Sequence, residues 1–122
     1  VTDGRYVYMR APANPGNQPL FNYTVMATHM RGFFRPEELQ GVEIAGPFSF
    51  TKNCQVMKCP TTHTWDPHRF GNLLFDLESD PKQDHPLNDA ALEDRMLAIL
   101  VNEIQRSEAP AEQYERLGLP NP

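Results

Sequence analysis

The segment CPTTHTWDPHRFGN, residues 59–72, gathers the most chemically versatile side chains in the chain. His63, Trp65, His68 and Arg69 supply an aromatic face and charged hydrogen-bond donors, which is the equipment for touching a sugar or an anion. The structural alternative folds Trp65 back onto the core and leaves the histidines solvated. His63 and His68, with Asp66 between them, are also metal donors by type. No C-x-x-C or H-E-x-x-H spacing accompanies them, and a structural zinc wants four ligands, so no metal site is expected. His29 closes MATHMR, with Arg31 and Arg35 following. It suits a donor beside an anion, or a satisfied strand-end histidine.

Nucleophiles are less promising. Cys54 and Cys59 are the only cysteines. On one strand, residues five apart point to opposite faces and sit roughly 16 Å from each other, whereas a disulfide needs Cα atoms within roughly 7 Å. Free, mostly buried thiols are expected. No serine sits in a G-x-S-x-G elbow, and there is no phosphate loop or dinucleotide fingerprint. ESDPKQDHPL resembles half of a calcium loop in composition only, lacking its glycine and terminal glutamate, and reads as a loop.

Composition narrows the classes. The chain has 122 residues, 39% of them apolar and twelve of them proline: a single domain, residues 1–122, with one core and many turns. Residues 1–75 carry seven Lys/Arg against five Asp/Glu, and residues 76–122 four against eleven. The acidic half reads as solvated helix surface. The basic excess is too dilute for nucleic acid, and no run approaches the roughly 20 apolar residues of a membrane helix. No basic-then-apolar leader is present, so any export signal lies upstream or has been removed.

The elements that must hold these side chains follow from periodicity. VTDGRYVYMR places Asp3-Gly4, a hairpin-turn signal, before a strand over Arg5–Arg10, with only Val1 and Thr2 to form the other arm. LFNYTVMATHM alternates as a half-buried strand. RPEELQG gives a short helical turn with Pro36 at its start and Gly41 at its stop. Strands are expected near PFSFTK, resuming through CQVMK, and at NLLFDL, where Leu73, Phe75 and Leu77 share a face. From Asn88, a good N-cap, Leu92, Met96, Ile99, Leu100 and Ile104 form a helical stripe. Pro110 opens a shorter helix that Gly118 closes. The expected fold is α+β: an antiparallel sheet of about four strands over residues 5–77, with an amphipathic helix near 89–106 packed on one face and a short helix near 111–117. The face bearing Tyr6 and Tyr8 has no evident cover.

Several segments, in order, carry a family likeness. NLLFDLESDPKQDHPL resembles the L-Y/F-D-L-x-x-D-P strand and loop near the C-terminus of bacterial sulfatases, where a long amphipathic helix follows. VTDGRYVYMRAP resembles the TDGRYKYIR strand that opens their C-terminal subdomain. LFNYTVMATHMR, PFSFTKNCQVMKCP and APAEQYERLGL are also similar to that branch. The likeness spans nearly the whole chain.

What the resemblance implies is a C-terminal subdomain of a sulfatase, in the alkaline-phosphatase-like superfamily of sulfuric ester hydrolases. Such enzymes use a formylglycine, made from the Cys or Ser of C/S-x-P-x-R, beside a Ca²⁺ held by Asp and Asn. Cys54-Gln-Val-Met-Lys and Cys59-Pro-Thr-Thr-His do not fit that motif. No catalytic residue and no cofactor is therefore expected in this chain, which alone should be inactive. The implied partners are an upstream catalytic domain carrying the missing hairpin arm, and a sulfated small molecule or glycan. The implied location is periplasmic or secreted. His29 and the loop of His63, Trp65, His68 and Arg69 are then the residues to line the substrate cleft. The alternative is a free-standing carbohydrate- or protein-binding module. A sheet edge lacking its partner strand would also suit edge-to-edge dimerisation.

Overall fold

A computed structural model describes residues 1–62 and 65–121. It is α+β with antiparallel pairing throughout, and its strands divide among three small sheets. β1 (Tyr6–Met9) pairs with β7 (Leu73–Asp76); β2 (Phe21–Thr24), β6 (Val56–Pro60) and β5 (Glu43–Ala45) lie in the order β2-β6-β5; β3 (Thr28–His29) and β4 (Gly32–Phe33) form a small hairpin. α1 (Ala90–Arg106) and α2 (Ala111–Leu117) end the chain.

The division has local causes. Thr24 Oγ1 accepts from Met26 N (3.0 Å) and donates to Met26 O (2.7 Å), turning the chain just where the alternation of residues 20–30 would continue. PFSFTK is not a strand. Ser49–Thr51 forms a 3₁₀ turn, Thr51 Oγ1 accepts from Phe48 N (3.2 Å), and Lys52 and Asn53 adopt positive φ. Hydroxyl side chains that satisfy nearby backbone groups compete with ladder formation. The strand instead starts at Val56, leaving Cys54 exposed outside it and Cys59 buried within it; both are free. β5 is a strand that periodicity did not signal.

The core lies between the β1–β7 ribbon and α1. Tyr8, Leu74 and Met96 are its buried centre, with Tyr6, Leu92, Ile99 and Leu100 packed around them. The Tyr8 face thus does have a cover: α1 itself. Leu74, not the face of Leu73, Phe75 and Leu77, meets the helix, although Phe75 is buried too. Tyr8 O–H donates to Glu93 Oε1 (3.0 Å), which also accepts from Asn72 Nδ2 (2.8 Å), so the buried hydroxyl is satisfied. Burial pushes the Tyr8 phenol up. The N-cap of α1 is Asp89, one residue beyond Asn88, with its carboxylate accepting from Leu92 N (3.0 Å).

At the chain start, Tyr8 N donates to Val1 O (2.9 Å) and Thr2 bridges Val7, so Val1 and Thr2 form a short first arm of the hairpin. Asp3 Oδ1 accepts from Arg5 N and Tyr6 N (3.0 and 2.8 Å) to hold the turn. α2 ties the other sheet to the core: Glu112 accepts from Tyr23 O–H and pairs with Lys58 Nζ at 3.2 Å. Burial opposes ionisation of Glu112, but these two partners hold its carboxyl below the usual range, while burial and the carboxylate push the Tyr23 phenol up.

Candidate functional site

A cleft of about 680 Å³ lies beside the β2–β6 pair, with Asn22, Cys59 and Thr61 on one side and the 3₁₀ turn Pro36–Leu39 on the other. His29, at the end of β3, reaches across to that turn. Its Nε2 donates to Glu38 Oε1 at 2.6 Å, and its ring leans on Phe34 with centroids 4.6 Å apart. Glu38 Oε2 accepts from Arg35 N (2.8 Å) and lies 3.5 Å from Arg35 Nε. The Arg35 backbone N–H and then His29 hold the Glu38 carboxyl below its ordinary value, despite partial burial. The wall therefore presents a fixed carboxylate with an imidazole and a guanidinium around it, opposite amide and hydroxyl groups. This set can donate to and accept from a polyhydroxylated or anionic ligand.

Cys59 faces this cleft but is 1% exposed, and burial raises its thiol. A reactive cysteine needs a stabilised thiolate, so Cys59 packs the wall and does not act as a nucleophile.

Of the four other residues chosen from sequence, the three that are described lie away from His29. His63 lies outside the described residues. His68 is exposed but tied back to the first loop: its Nδ1–H donates to Pro12 O (2.8 Å), and it borders a smaller cleft of about 210 Å³ with Arg10 and Asn72. Trp65 and Arg69 line a third concavity of about 230 Å³ with Asp66 and Phe70. Trp65 is 71% exposed, so it does not fold back into the core, and the Arg69 guanidinium sits 4.5 Å above the Phe70 ring. Of the four described candidates, His29 alone borders the 680 Å³ cleft.

Glu38, Arg35, Phe34 and Asn22 join His29 there without having been singled out. A signal existed for two of them. In R-P-E-E, a carboxylate three residues after Arg35 forms half of a capping box and is brought back to the turn's first N–H. Pairing of His29 with that carboxylate depends on the β3–β4 hairpin and leaves no local mark.

Among the described residues no group of three or more His, Cys, Asp or Glu converges as a metal site, and no helix is long and apolar enough to cross a membrane. The carboxylates of the D-L-x-x-D-P segment are engaged. Asp76 is gripped by Arg5, and Asp80 accepts from Asp84 N (3.2 Å) and His85 N (2.8 Å). This donor set does not fit Ca²⁺, which wants six to eight converging oxygens. Compared with known proteins, the chain matches no family model, no curated protein and no solved structure.

Proposed function

We propose that this chain is the C-terminal subdomain of a sulfatase, a structural unit that packs on a catalytic domain and lends the His29–Glu38 cleft wall to substrate binding. The observation that carries the reading is the meeting of the two segments with the strongest likeness. TDGRY and FDLESDP form one ribbon, β1 on β7, and their charged residues Arg5 and Asp76 bond to each other. Both segments therefore have a shared architectural reason to occur together.

A second observation agrees. Val25, Met26, Met30, Phe33, Ile44 and Phe50 are all at least half exposed, and all lie in residues 25–50, away from the α1 core. A segment with this many exposed apolar side chains suits a surface that another unit covers. The formylglycine and Ca²⁺ belong to that absent unit; no motif here supplies either.

Assaying 4-nitrophenyl sulfate with Ca²⁺ tests the proposal. The expected result is turnover by the protein encoded by the longer reading frame and none by residues 1–122. Turnover by the 122-residue chain above a buffer blank would overturn it.

A further inference from the structure

We infer that the β3–β4 hairpin is a flap over the 680 Å³ cleft, latched shut by the His29–Glu38 bond, and that its opening uncovers the wall of Asn22 and Cys59, whatever the parent protein's chemistry. The hairpin has two residues per strand, all four of them exposed, and Met30 between the strands is 98% exposed. A two-stranded ribbon without a buried face is marginal in water. Segments with few buried apolar contacts open at low free energy. Both ends of the span are fixed. Thr24 Oγ1 accepts from Met26 N (3.0 Å) at one end, and Glu38 Oε2 accepts from Arg35 N (2.8 Å) at the other.

Between those ends the hairpin has an inner and an outer side. His29 and Phe34 line the cleft, whereas Met30 and Phe33 do not and are 98% and 83% exposed. The latch spans the cleft from His29 Nε2 to Glu38 Oε1, 2.6 Å apart. Because the His29 side chain is 52% exposed, water competes for the bond, and such a pair biases an equilibrium only roughly twofold to fivefold. That is enough to favour the closed flap and too little to lock it. Behind the latch, Asn22 and Cys59 are directly paired across β2 and β6, while the next pair, Tyr23 and Lys58, turns to Glu112 of α2. Cys59 lines the cleft yet is 1% exposed, so with the flap shut this wall is screened from solvent.

Cys59 is the natural reporter, read in a Cys54→Ser background that removes the other thiol. Its reaction with 5,5′-dithiobis(2-nitrobenzoate) is compared with that of the urea-unfolded chain, and amide hydrogen exchange is followed by NMR. Cys59 should be protected about tenfold less, or lower still, than the α1 amides around Met96. His29→Ala should lower the protection of Cys59 and of the Phe34 amide, which donates to Ala27 O (2.8 Å), by the same factor of roughly two to five. The α1 amides should not change, and Met30→Ala, outside the latch, should move neither reading. Glu38→Gln keeps a capping acceptor for Arg35 N and should act as His29→Ala does, which covers the case of His29→Ala failing to fold. Protection of Cys59 equal to that of the α1 amides, or unchanged in the folded latch variants, would overturn the inference. No substrate enters these measurements, so a failed sulfate-ester assay leaves them standing.

Discussion

Arg5 and Asp76, 71 positions apart, are joined by two parallel hydrogen bonds, Nε to Oδ1 at 3.1 Å and Nη2 to Oδ2 at 2.7 Å. This fork locks the edge of the β1–β7 ribbon, and Arg5 Nη1 adds Glu78 at 2.9 Å. Asp76 is only 8% exposed, so its charge depends on that guanidinium. Arg5→Ala should lower the denaturation midpoint more than Arg5→Ala in an Asp76→Asn background does, because the second change removes the stranded charge. A double-mutant cycle in urea measures the coupling.

The same pair makes stability acid-sensitive. The hydrogen bond from Arg5 holds the Asp76 carboxyl below its ordinary value, and the backbone N–H of His85 does so for Asp80. A depressed folded-state carboxyl contributes its stability in full above the unfolded value of about 4, and loses it as pH falls through the lower folded value. Thermal melts should therefore fall in midpoint below about pH 4, and less steeply for Asp76→Asn. An equal acid slope in both would contradict this.

Met96 is fully buried between Tyr8 and Leu74. Met96→Ala should cost about 2–5 kcal/mol in chemical denaturation. Ile44→Ala, on a side chain 68% exposed, should change stability by less than about 0.5 kcal/mol in the 122-residue chain.

Helix ends supply a local check. Asp89→Ala should cost about 1 kcal/mol as loss of the N-cap bond, and Asn88→Ala much less. Gly118 closes α2 at φ +62°, and an added Cβ would lie 3.4 Å from Ala13 Cβ, so Gly118→Ala should cost about 1 kcal/mol. Equal effects at positions 88 and 89 would contradict the cap.

On the proposed function, Glu38→Gln in the longer protein should raise KM for a sulfated substrate severalfold with kcat within about twofold. The carboxylate holds His29 at the cleft wall, so on this reading its loss acts on binding. A collapse of kcat with unchanged KM would assign Glu38 to the chemistry instead.

Legibility tracked locality. Both helices, the turn at Pro36 and the strands around Tyr8 and Leu74 carry periodicity or end signals strong enough to read. The split into three sheets turns on Thr24 and Thr51, whose hydroxyls divert the backbone without altering the apolar pattern. Asn88 and Asp89 are equally good caps by type, and only geometry separates them. At the candidate site, His29 was legible as a polar residue at a strand end, but its partner Glu38 comes through a hairpin and a turn. Composition grouped His68 with Trp65 and Arg69, whereas a hydrogen bond to Pro12 O places His68 at a different concavity from the other two.

The central proposition is that the reactive centre lies in polypeptide outside these 122 residues and that this unit braces it. Sequencing the gene upstream of Val1 examines that most directly. An open frame continuous with Val1 and encoding C/S-x-P-x-R together with Asp and Asn ligands is the expected result. A stop codon, or a start codon with a leader peptide placed immediately before Val1, would contradict it.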